Sequence, residues 1–498
     1  MNFIKMRKEV VFVMIYFGAV FCGNLRAQTK ITLDEAIKIA TDSSLAAFKA
    51  QNLYLISYWD YRSYSAQKKP SLTLNTTLAD YNRALIKRYN SVLDIDEYRE
   101  QQNISSYANA SIRQNMPFTG GTFYFDTELS RLQDFGSNEY TQFSSVPFRI
   151  GFSQPLFGFN NFKWQKKIEP LKFEKAKLTY IQSVESISLQ MVDYYFDLLI
   201  ARLKVAMDSS NVANCDTLYN IGQKRMEIAS LSQADVLTLK VDALNARNKL
   251  AEAHKELKNG LYLFNSFLRK DETSFADLEI PVNLYSFQVN FDEAYKIALA
   301  NNPDLLENKQ QLLESERDLD QAKKEGLWSA SLTGSYGLNQ RDSTFPRAYQ
   351  NPLNQQRATL GISIPIIDWG QRKGKTNMAQ KNYELAELAI EQAEVDFKQK
   401  LMMATNNFNM QQAIVNSALE TKTVANQAYD FTKQRFLIGK ADVNSLSLAL
   451  TRQDAANINY LEALRLYWKY YYALRKITLY DFKTNSTLIR ELDQFLGM

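Results

Sequence analysis

Histidine and cysteine are almost absent from this chain of 498 residues, which contains one His, His254, and two Cys, Cys22 and Cys215. A single His in a stretch of Ala, Glu and Lys is predicted to be a solvated helix residue, and two cysteines cannot build a disulfide framework. No Gly-rich phosphate loop and no HExxH or GxSxG signature occurs in the sequence. The sequence therefore predicts no enzyme activity, no metal site and no cofactor.

Glycine and proline are also scarce, at 17 and 10 residues, and so few helix breakers favour long helices. Beyond residue 27 the sequence has no run of about 20 apolar residues, so we expect no membrane-spanning helix there. The net charge of +5 is spread along the chain without a dense basic stretch, which argues against nucleic acid as a partner.

Residues 1–27 are predicted to be a signal peptide, because basic residues precede an apolar run over 10–22 and Ala27 offers a small-residue cleavage site. The apolar run is too short for a spanning helix. Phe21 is bulky where a lipidated cysteine prefers a small neighbour, which argues against lipidation of Cys22. An exported chain without a spanning helix belongs in the periplasm, outside the cell or in an outer-membrane β-barrel.

The chain is a tandem duplication. The matched pairs are 33–40 with 291–298 at an offset of 258, and then 151–157 with 361–367, Tyr219 with Tyr429 and Arg225 with Arg435 at an offset of 210. The first copy therefore carries 48 additional residues, the difference between the two offsets. We expect a first repeat over 28–285, a second over 286–480 and a C-terminal tail over 481–498.

The additional residues lie within 79–147 and contain two alternating apolar runs, 108–112 and 123–129, around a turn at Thr119-Gly120-Gly121. They form either a hairpin in an external loop or two further strands of a barrel. Lipid-facing alternation looks the same in both cases, and the external loop is the preferred expectation.

Each copy is predicted to run helix, strands, long helix, turn, helix. Apolar and polar residues alternate in 72–78 and 146–152, and again in 330–336 and 358–364, as in strands with one apolar face. The long helices, over 160–225 and 371–435, would each extend about 100 Å at 1.5 Å per residue.

The last helix of each copy carries a heptad seam. Its positions are Ala456, Tyr460, Ala463, Tyr467, Tyr470, Leu474 and Ile477, matched in the first copy by Ala246, Leu250, Ala253, Leu257, Gly260, Phe264 and Phe267. Spacings of four and three residues, repeated in the same register, predict coiled-coil packing.

These landmarks resemble the TolC family of outer-membrane channels over residues 31–480. The resemblance rests on the paired starts at 33–36 and 291–294, on Asn301-Asn302-Pro303, on the strand ends at 155–157 and 365–367, and on 435–439 before the second seam. The order, duplication and spacing of these motifs carry the likeness, since none is specific alone.

The resemblance implies an α+β membrane protein that assembles as a homotrimer. In this family each protomer gives four strands to a 12-stranded transmembrane antiparallel β-barrel, which is continuous with a long α-helical periplasmic tunnel. The tunnel tip docks a periplasmic adaptor (membrane fusion) protein, which connects it to an inner-membrane transporter of the RND, ABC or MFS type. The expected location is the outer membrane of a Gram-negative cell, extending into the periplasm.

The resemblance also places the tunnel tip at two helix bends, 226–236 and 436–446. Asp235 matches a family Asp that ties the closed tip together, and Phe436 occupies a position that often carries an aromatic residue of the same contact. The family's acidic ring falls on Ser445 and Leu448, which carry no charge, although Asp442 lies near.

Our hypothesis from these positions is that Asp235, Arg435 and Phe436 hold the bends shut, and that the matched Arg225 also acts at the tip. The alternatives are an N-cap role for Asp235 and solvated surface charge for the two arginines. Gly439 is suited to a bend, but its duplicate is Ala229, so a positive φ is not obligatory in both copies.

The function predicted from the sequence is a passive exit channel for efflux of small molecules or type I secretion of polypeptides. The alternative is a periplasmic structural coiled-coil protein without channel activity, which would explain the heptads but neither the strand pairs nor the duplication.

Overall fold

A computed structural model describes residues 30–135, 139–271, 277–325 and 328–489. The predicted signal peptide, with Cys22, and the part of the predicted tail after residue 489 lie outside these ranges.

The same order of elements occurs twice in the described chain. The first half contains α1 (Leu33–Ser43), α2 (Leu45–Gln67), β1 (Ser71–Asn90), β2 (Ile95–Asn115), β3 (Thr122–Asp134), β4 (Tyr140–Leu156), α3 (Asn161–Glu227) and α4 (Gln233–Phe267). The second half contains α5 (Phe291–Asn301), α6 (Pro303–Glu325), β5 (Ser329–Asp342), a 3₁₀ turn (Arg347–Tyr349), β6 (Leu353–Ser363), α7 (Gln371–Leu437) and α8 (Val443–Thr478), followed by a short hairpin of β7 (Tyr480–Asp481) and β8 (Ser486–Thr487).

The two long helices have 67 residues each, far more than the typical 11–12. Within the described ranges, no helix combines the length and apolar character needed to cross a membrane. The chain divides into two compact units, one of residues up to 51, 181–301 and from 400 onward, the other of 52–180 and 302–399. Each unit draws on both repeats.

The unit formed by 52–180 and 302–399 contains a six-stranded antiparallel sheet in the order β1-β2-β3-β4-β5-β6. The strands β2 and β3 come from the insertion in the first copy. The sheet of one chain therefore has six strands, where the family resemblance implies four. The placement of β2 and β3 in an external loop or in a barrel stays a prediction. Both added strands pair along the sheet between β1 and β4.

One face of this sheet is apolar from β1 to β5. A row of cross-strand partners runs from Leu72 through Ile112, Phe125 and Ile150 to Tyr336. All of these side chains are exposed in the isolated chain, between 41% and 74%. An exposed apolar row on one sheet face is what a lipid-facing surface requires.

The opposite face is polar. The neighbouring row of partners runs from Thr73 through Ser111, Asp126 and Arg149 to Gly337. The carboxylate of Asp126 accepts two bonds from the Arg149 guanidinium, at 2.9 and 2.5 Å. The two faces therefore differ in character from β1 to β5 as the period-two pattern predicts.

The helices of this unit pack through aromatic side chains. The ring of Tyr61 on α2 stacks on Phe173 of α3 with centroids 4.8 Å apart, and Tyr54 lies 5.8 Å from Tyr180. Trp164 donates its indole N–H to Asp320 of α6 at 3.0 Å.

The other unit has its core along α8. Six of the seven seam residues predicted there are buried, and only Tyr470 is half-buried. In the first copy Ala246, Ala253 and Phe264 are buried at the matched positions. The heptad pattern thus identifies the packed face of both last helices, more completely in the second copy.

The segment that joins the two repeats lies extended beside the helices of this unit. The Tyr467 hydroxyl accepts from the backbone N–H of Tyr285 (2.9 Å) and donates to the carbonyl of the same residue (3.0 Å). The side-chain amide of Asn409 makes the same pair of bonds with Val289, both at 2.9 Å. These contacts satisfy backbone groups that a buried extended segment would otherwise leave unpaired.

Candidate gate at the two helix bends

The first bend, between α3 and α4, ends its long helix with a Schellman motif. Ser230 donates its backbone N–H to the carbonyl of Arg225 (2.8 Å), and Ala229 donates to Met226 (2.9 Å). Ala229 has a φ of +54°, the left-handed conformation that this motif needs at its turning residue.

The second bend, between α7 and α8, has the same geometry. Lys440 donates to the carbonyl of Arg435 (2.8 Å), Gly439 donates to Phe436 (3.0 Å), and Gly439 has a φ of +76°. A positive φ, which the sequence did not make obligatory in both copies, therefore occurs in both. The bonding of the motif keeps Ala229 left-handed, at a steric cost that Gly439 does not have.

The helices that leave the bends begin with matched caps. Ser232 is the N-cap of α4 and forms a capping box with Asp235, whose carboxylate accepts from the Ser232 hydroxyl at 2.6 Å. The equivalent N-cap of α8 is Asp442, which accepts from the backbone N–H of Ser445 at 2.6 Å. Asp235 is thus the third residue of its helix, not the N-cap considered as the alternative role, and these bonds lie within its own bend.

The cap affects the ionisation of Asp442. The backbone N–H of Ser445 stabilises the carboxylate and lowers the pKa of Asp442 below its ordinary value. Asp442 therefore keeps its charge, and caps the helix, throughout the neutral range.

Arg225 connects the two bends. Its guanidinium donates to the carbonyl of Leu437 at 3.1 Å and, at 3.4 Å, to that of Phe436. The same guanidinium lies 5.5 Å from the centre of the Phe436 ring, within range of a cation–π interaction. Arg435, by contrast, donates to the backbone carbonyl of Lys440 at 3.3 Å and so closes its own bend.

An apolar cluster lies beneath this contact. Phe436 is 2% exposed, and its cluster of buried residues also contains Leu239, Tyr429, Val443 and Leu446. These side chains come from α4, α7 and α8, so the cluster joins the two helix pairs. The cluster therefore holds the Phe436 ring in place independently of its contact with Arg225.

Ser445 and Leu448, the positions of the family's acidic ring, lie on the surface and not in the buried cluster. Ser445 is exposed and Leu448 is 51% exposed on α8. Both line a groove between α7 and α8 that also contains Glu420 and Arg452. At these two positions the groove presents a hydroxyl and an aliphatic side chain, where the family often has carboxylates.

A cavity of about 320 Å³ near the bends is lined by residues of α3, α4, α7 and α8. Three of its lining carboxyls, Asp208, Asp242 and Asp454, have a pKa raised by burial. Asn211 donates to Asp454 at 3.1 Å, which lowers that pKa in part. Within the described ranges no group of three or more His, Cys, Asp and Glu residues is arranged to hold a metal ion.

Of the residues singled out from the sequence, the structure brings Arg225 and Phe436 together across the bends. It places Asp235, Arg435, Gly439, Asp442 and Ser445 in local turn and cap bonds. The cross-bend partner is thus Arg225, where the hypothesis had named Arg435 and Asp235. His254 is exposed on α4, and Cys215 is a buried free thiol.

Sequence comparison finds a family match in the second repeat. Residues 294–478 match the family model described as outer membrane efflux protein. The resemblance to TolC-like channels is confirmed. The family description also agrees with the outer-membrane location expected from the sequence.

Curated relatives are distant. The toxin and drug export protein A of Aggregatibacter actinomycetemcomitans is 21% identical over 310 residues, which is 60% of this chain and 64% of that protein. A protein of Haemophilus influenzae is 22% identical over 315 residues, again 64% of its length. The chain thus aligns with less than two thirds of these relatives.

Solved structures show the same fold over most of the chain. The CmeC outer membrane channel of Campylobacter jejuni has a TM-score of 0.63 at 13% identity, covering 90% of this chain and 85% of CmeC. The outer membrane protein VceC of Vibrio cholerae also has a TM-score of 0.63, at 12% identity, covering 90% of this chain and 95% of VceC.

Proposed function

We propose that this protein is the outer-membrane channel subunit of a tripartite efflux or type I secretion system. It works as a homotrimer and provides a passive exit duct, with the helix bends at its periplasmic end. The observation that carries the proposal is the six-stranded sheet with one apolar and one polar face, in a chain whose long helices end in two matched bends.

The sheet and the helices have separate roles. A sheet that is apolar outside and polar inside can line a wet pore in lipid once its edges are paired. The helices provide a coiled-coil wall, as the buried seam of α8 indicates. A periplasmic structural protein would need the seam but not a sheet with an exposed apolar face.

We further propose that the contact between Arg225 and Phe436 holds the two bends together in the closed channel. Its support is the pair of hydrogen bonds from one guanidinium to two backbone carbonyls of the other bend, together with the buried ring beneath. The exposed bends would also meet a periplasmic adaptor, which links the duct to an inner-membrane transporter.

The deciding experiment is planar-bilayer conductance of the purified full chain, with its mass in detergent measured in parallel. A trimer that produces single-channel steps supports the proposal. A monomer without conductance contradicts it and favours the periplasmic structural alternative.

A further inference from the structure

We infer that all six strands of each copy are membrane strands, so that three copies of this chain close a barrel of eighteen strands. This inference rests on the proposed trimeric channel and extends it, since the family resemblance implies twelve strands. It concerns the two strands of the insertion, β2 and β3, and the free edges of the sheet.

The inserted strands continue the apolar face of their neighbours. Ile112 of β2 pairs with Leu72 of β1, and Phe125 of β3 pairs with Ile150 of β4. An external hairpin would have no reason to keep its apolar side chains in register with a lipid-facing row. In this sheet the row is continuous because β2 and β3 complete it.

The inserted strands are also joined to β4 on the polar face. Asp126 of β3 is 5% exposed and pairs with Arg149 of β4, while Asn109 of β2 donates to Asp126 at 3.0 Å. Glu128 adds a weaker contact to the same guanidinium, at 3.5 Å. Separation of the hairpin from the sheet would break this network of charge-assisted hydrogen bonds.

The turn of the inserted hairpin lies at the end of the sheet where the long helix begins. The carbonyl of Pro117 accepts from Asn160, just before α3, at 3.1 Å, and that of Thr119 accepts from Gln154 at 2.8 Å. Phe118 in this turn is 86% exposed. Phe157 and Trp328, whose rings lie 5.0 Å apart, flank the strands at the same end. Aromatic residues at strand ends are typical of a membrane interface.

The two edges of the sheet fit a second copy of the chain. β1 and β6 are the edge strands of the sheet, with 20 and 11 residues. In lipid their backbone groups need partners, because no water can reach them. An even number of strands makes β6 antiparallel to the β1 of the next copy, and Leu360 of β6 shares the apolar face with Leu72. A second copy therefore meets both the hydrogen-bonding and the lipid-facing requirements of the edges.

The added strands widen the pore. Barrel diameter grows roughly in proportion to strand number, so eighteen strands give about 1.5 times the diameter of twelve. Barrels of about 16–18 strands enclose a water-filled channel. The sheet section then offers a wide, polar exit for hydrated or bulky solutes, and the narrowest passage lies elsewhere along the duct.

The test uses two adjacent residues of β3 that face opposite sides. Phe125→Cys and Tyr124→Cys are each made in a Cys22→Ser, Cys215→Ser background, labelled with a nitroxide and reconstituted into phospholipid vesicles. We expect the label at 125 to be accessible to oxygen dissolved in lipid, and the label at 124 to a water-soluble nickel complex. Equal, high nickel accessibility at both positions would place β3 outside the membrane and overturn the inference.

Electron cryomicroscopy of the full chain in lipid nanodiscs counts the strands directly. Eighteen strands support the inference. A trimeric barrel of twelve strands with residues 95–134 outside it refutes the inference and leaves the proposed channel intact. The absence of any trimeric barrel refutes both.

Discussion

The guanidinium of Arg225 lies 5.5 Å from the centre of the Phe436 ring, and the two residues belong to the last turns of different long helices. Phe436 is buried by its own cluster, whereas Arg225 reaches it from the other bend. The contact between Arg225 and Phe436 can therefore join the α3–α4 pair to the α7–α8 pair. It does so without any change to the backbone hydrogen bonds inside either bend.

Replacing Arg225 tests whether its contact with Phe436 holds the two bends together. Arg225→Ala removes the cation–π contact and two hydrogen bonds from a charged donor, together about 1–2 kcal/mol. We expect roughly a tenfold or greater rise in the open probability of single channels in planar bilayers. Arg435→Ala is the matched control, because Arg435 bonds within its own bend. Equal effects of the two substitutions would contradict a specific role for Arg225.

The two left-handed residues of the bends predict opposite responses. Ala229→Gly relieves steric strain at a φ of +54°, whereas Gly439→Ala introduces it at +76°. We expect each to change the local stability of its bend by about 1 kcal/mol, in opposite directions. Backbone hydrogen exchange at each bend should slow about fivefold in Ala229→Gly and speed up similarly in Gly439→Ala. Acceleration in both variants would show that strain at Ala229 is not significant.

The buried carboxyl of Asp454 predicts a pH effect. Burial raises its pKa, so the folded protein binds the proton more tightly than the unfolded chain does. This contribution to stability is present below the unfolded pKa of about 3.9 and is lost as pH rises through the raised folded value. We expect Asp454→Asn, which can still accept from Asn211, to raise the thermal unfolding midpoint at pH 7.

The gain from Asp454→Asn should shrink as the pH falls through the raised pKa of Asp454 and towards the unfolded value of about 3.9, because the parent carboxyl then gains its proton. Asp430→Asn, at an exposed position on α7, is the control and should change little at either pH. A gain that does not depend on pH would point to a cause other than ionisation.

Arg475 predicts the largest loss of stability. Its guanidinium, 17% exposed, pairs with Glu185 at 2.8 Å and with Asp481 at 3.5 Å, next to the rings of Tyr471 and Tyr472. Arg475→Met leaves two buried carboxylates without this cation, which should cost about 3–5 kcal/mol. Thermal unfolding in detergent should show a lower midpoint.

The double variant Arg475→Met, Glu185→Gln is the check on that mechanism. It removes one of the stranded charges, so part of the lost stability should return. If the double variant is no more stable than Arg475→Met alone, lost packing rather than unpaired charge explains the effect.

Much of the helical architecture could be predicted from the sequence because helix breakers and heptads act locally. The scarcity of breakers predicted both 67-residue helices to within a few residues, and the four-three spacing identified the buried face of α8. The family resemblance placed the two bends where the structure has them. These signals depend on neighbours along the chain, so one sequence contains them.

The sheet could be predicted only in part, since strand pairing depends on distant residues. Alternation over 108–112 is the same in a loop hairpin and in a membrane strand, so the pattern could not show that β2 pairs with β1. A bulge in β4 between Ser145 and Arg149 places Val146 opposite Glu128 on the polar face, although 146–152 alternate as one run. The sequence does not reveal such a shift in register.

The tip contact illustrates the same limit. Arg225 and Arg435 are equivalent in the duplication, yet Arg225 crosses to the other bend and Arg435 does not. Ala229 is left-handed despite its side chain, because the capping bonds of its bend decide its conformation. Pseudo-symmetry predicts equivalent backbones more reliably than equivalent side-chain partners.

The insertion enters and leaves the sheet at one end, as a complete hairpin between β1 and β4. In the proposed trimer, one such hairpin per copy changes the bore of the barrel by six strands without altering a single helix. Exit width and the machinery that docks at the helix bends become separate traits, free to diverge under different selection.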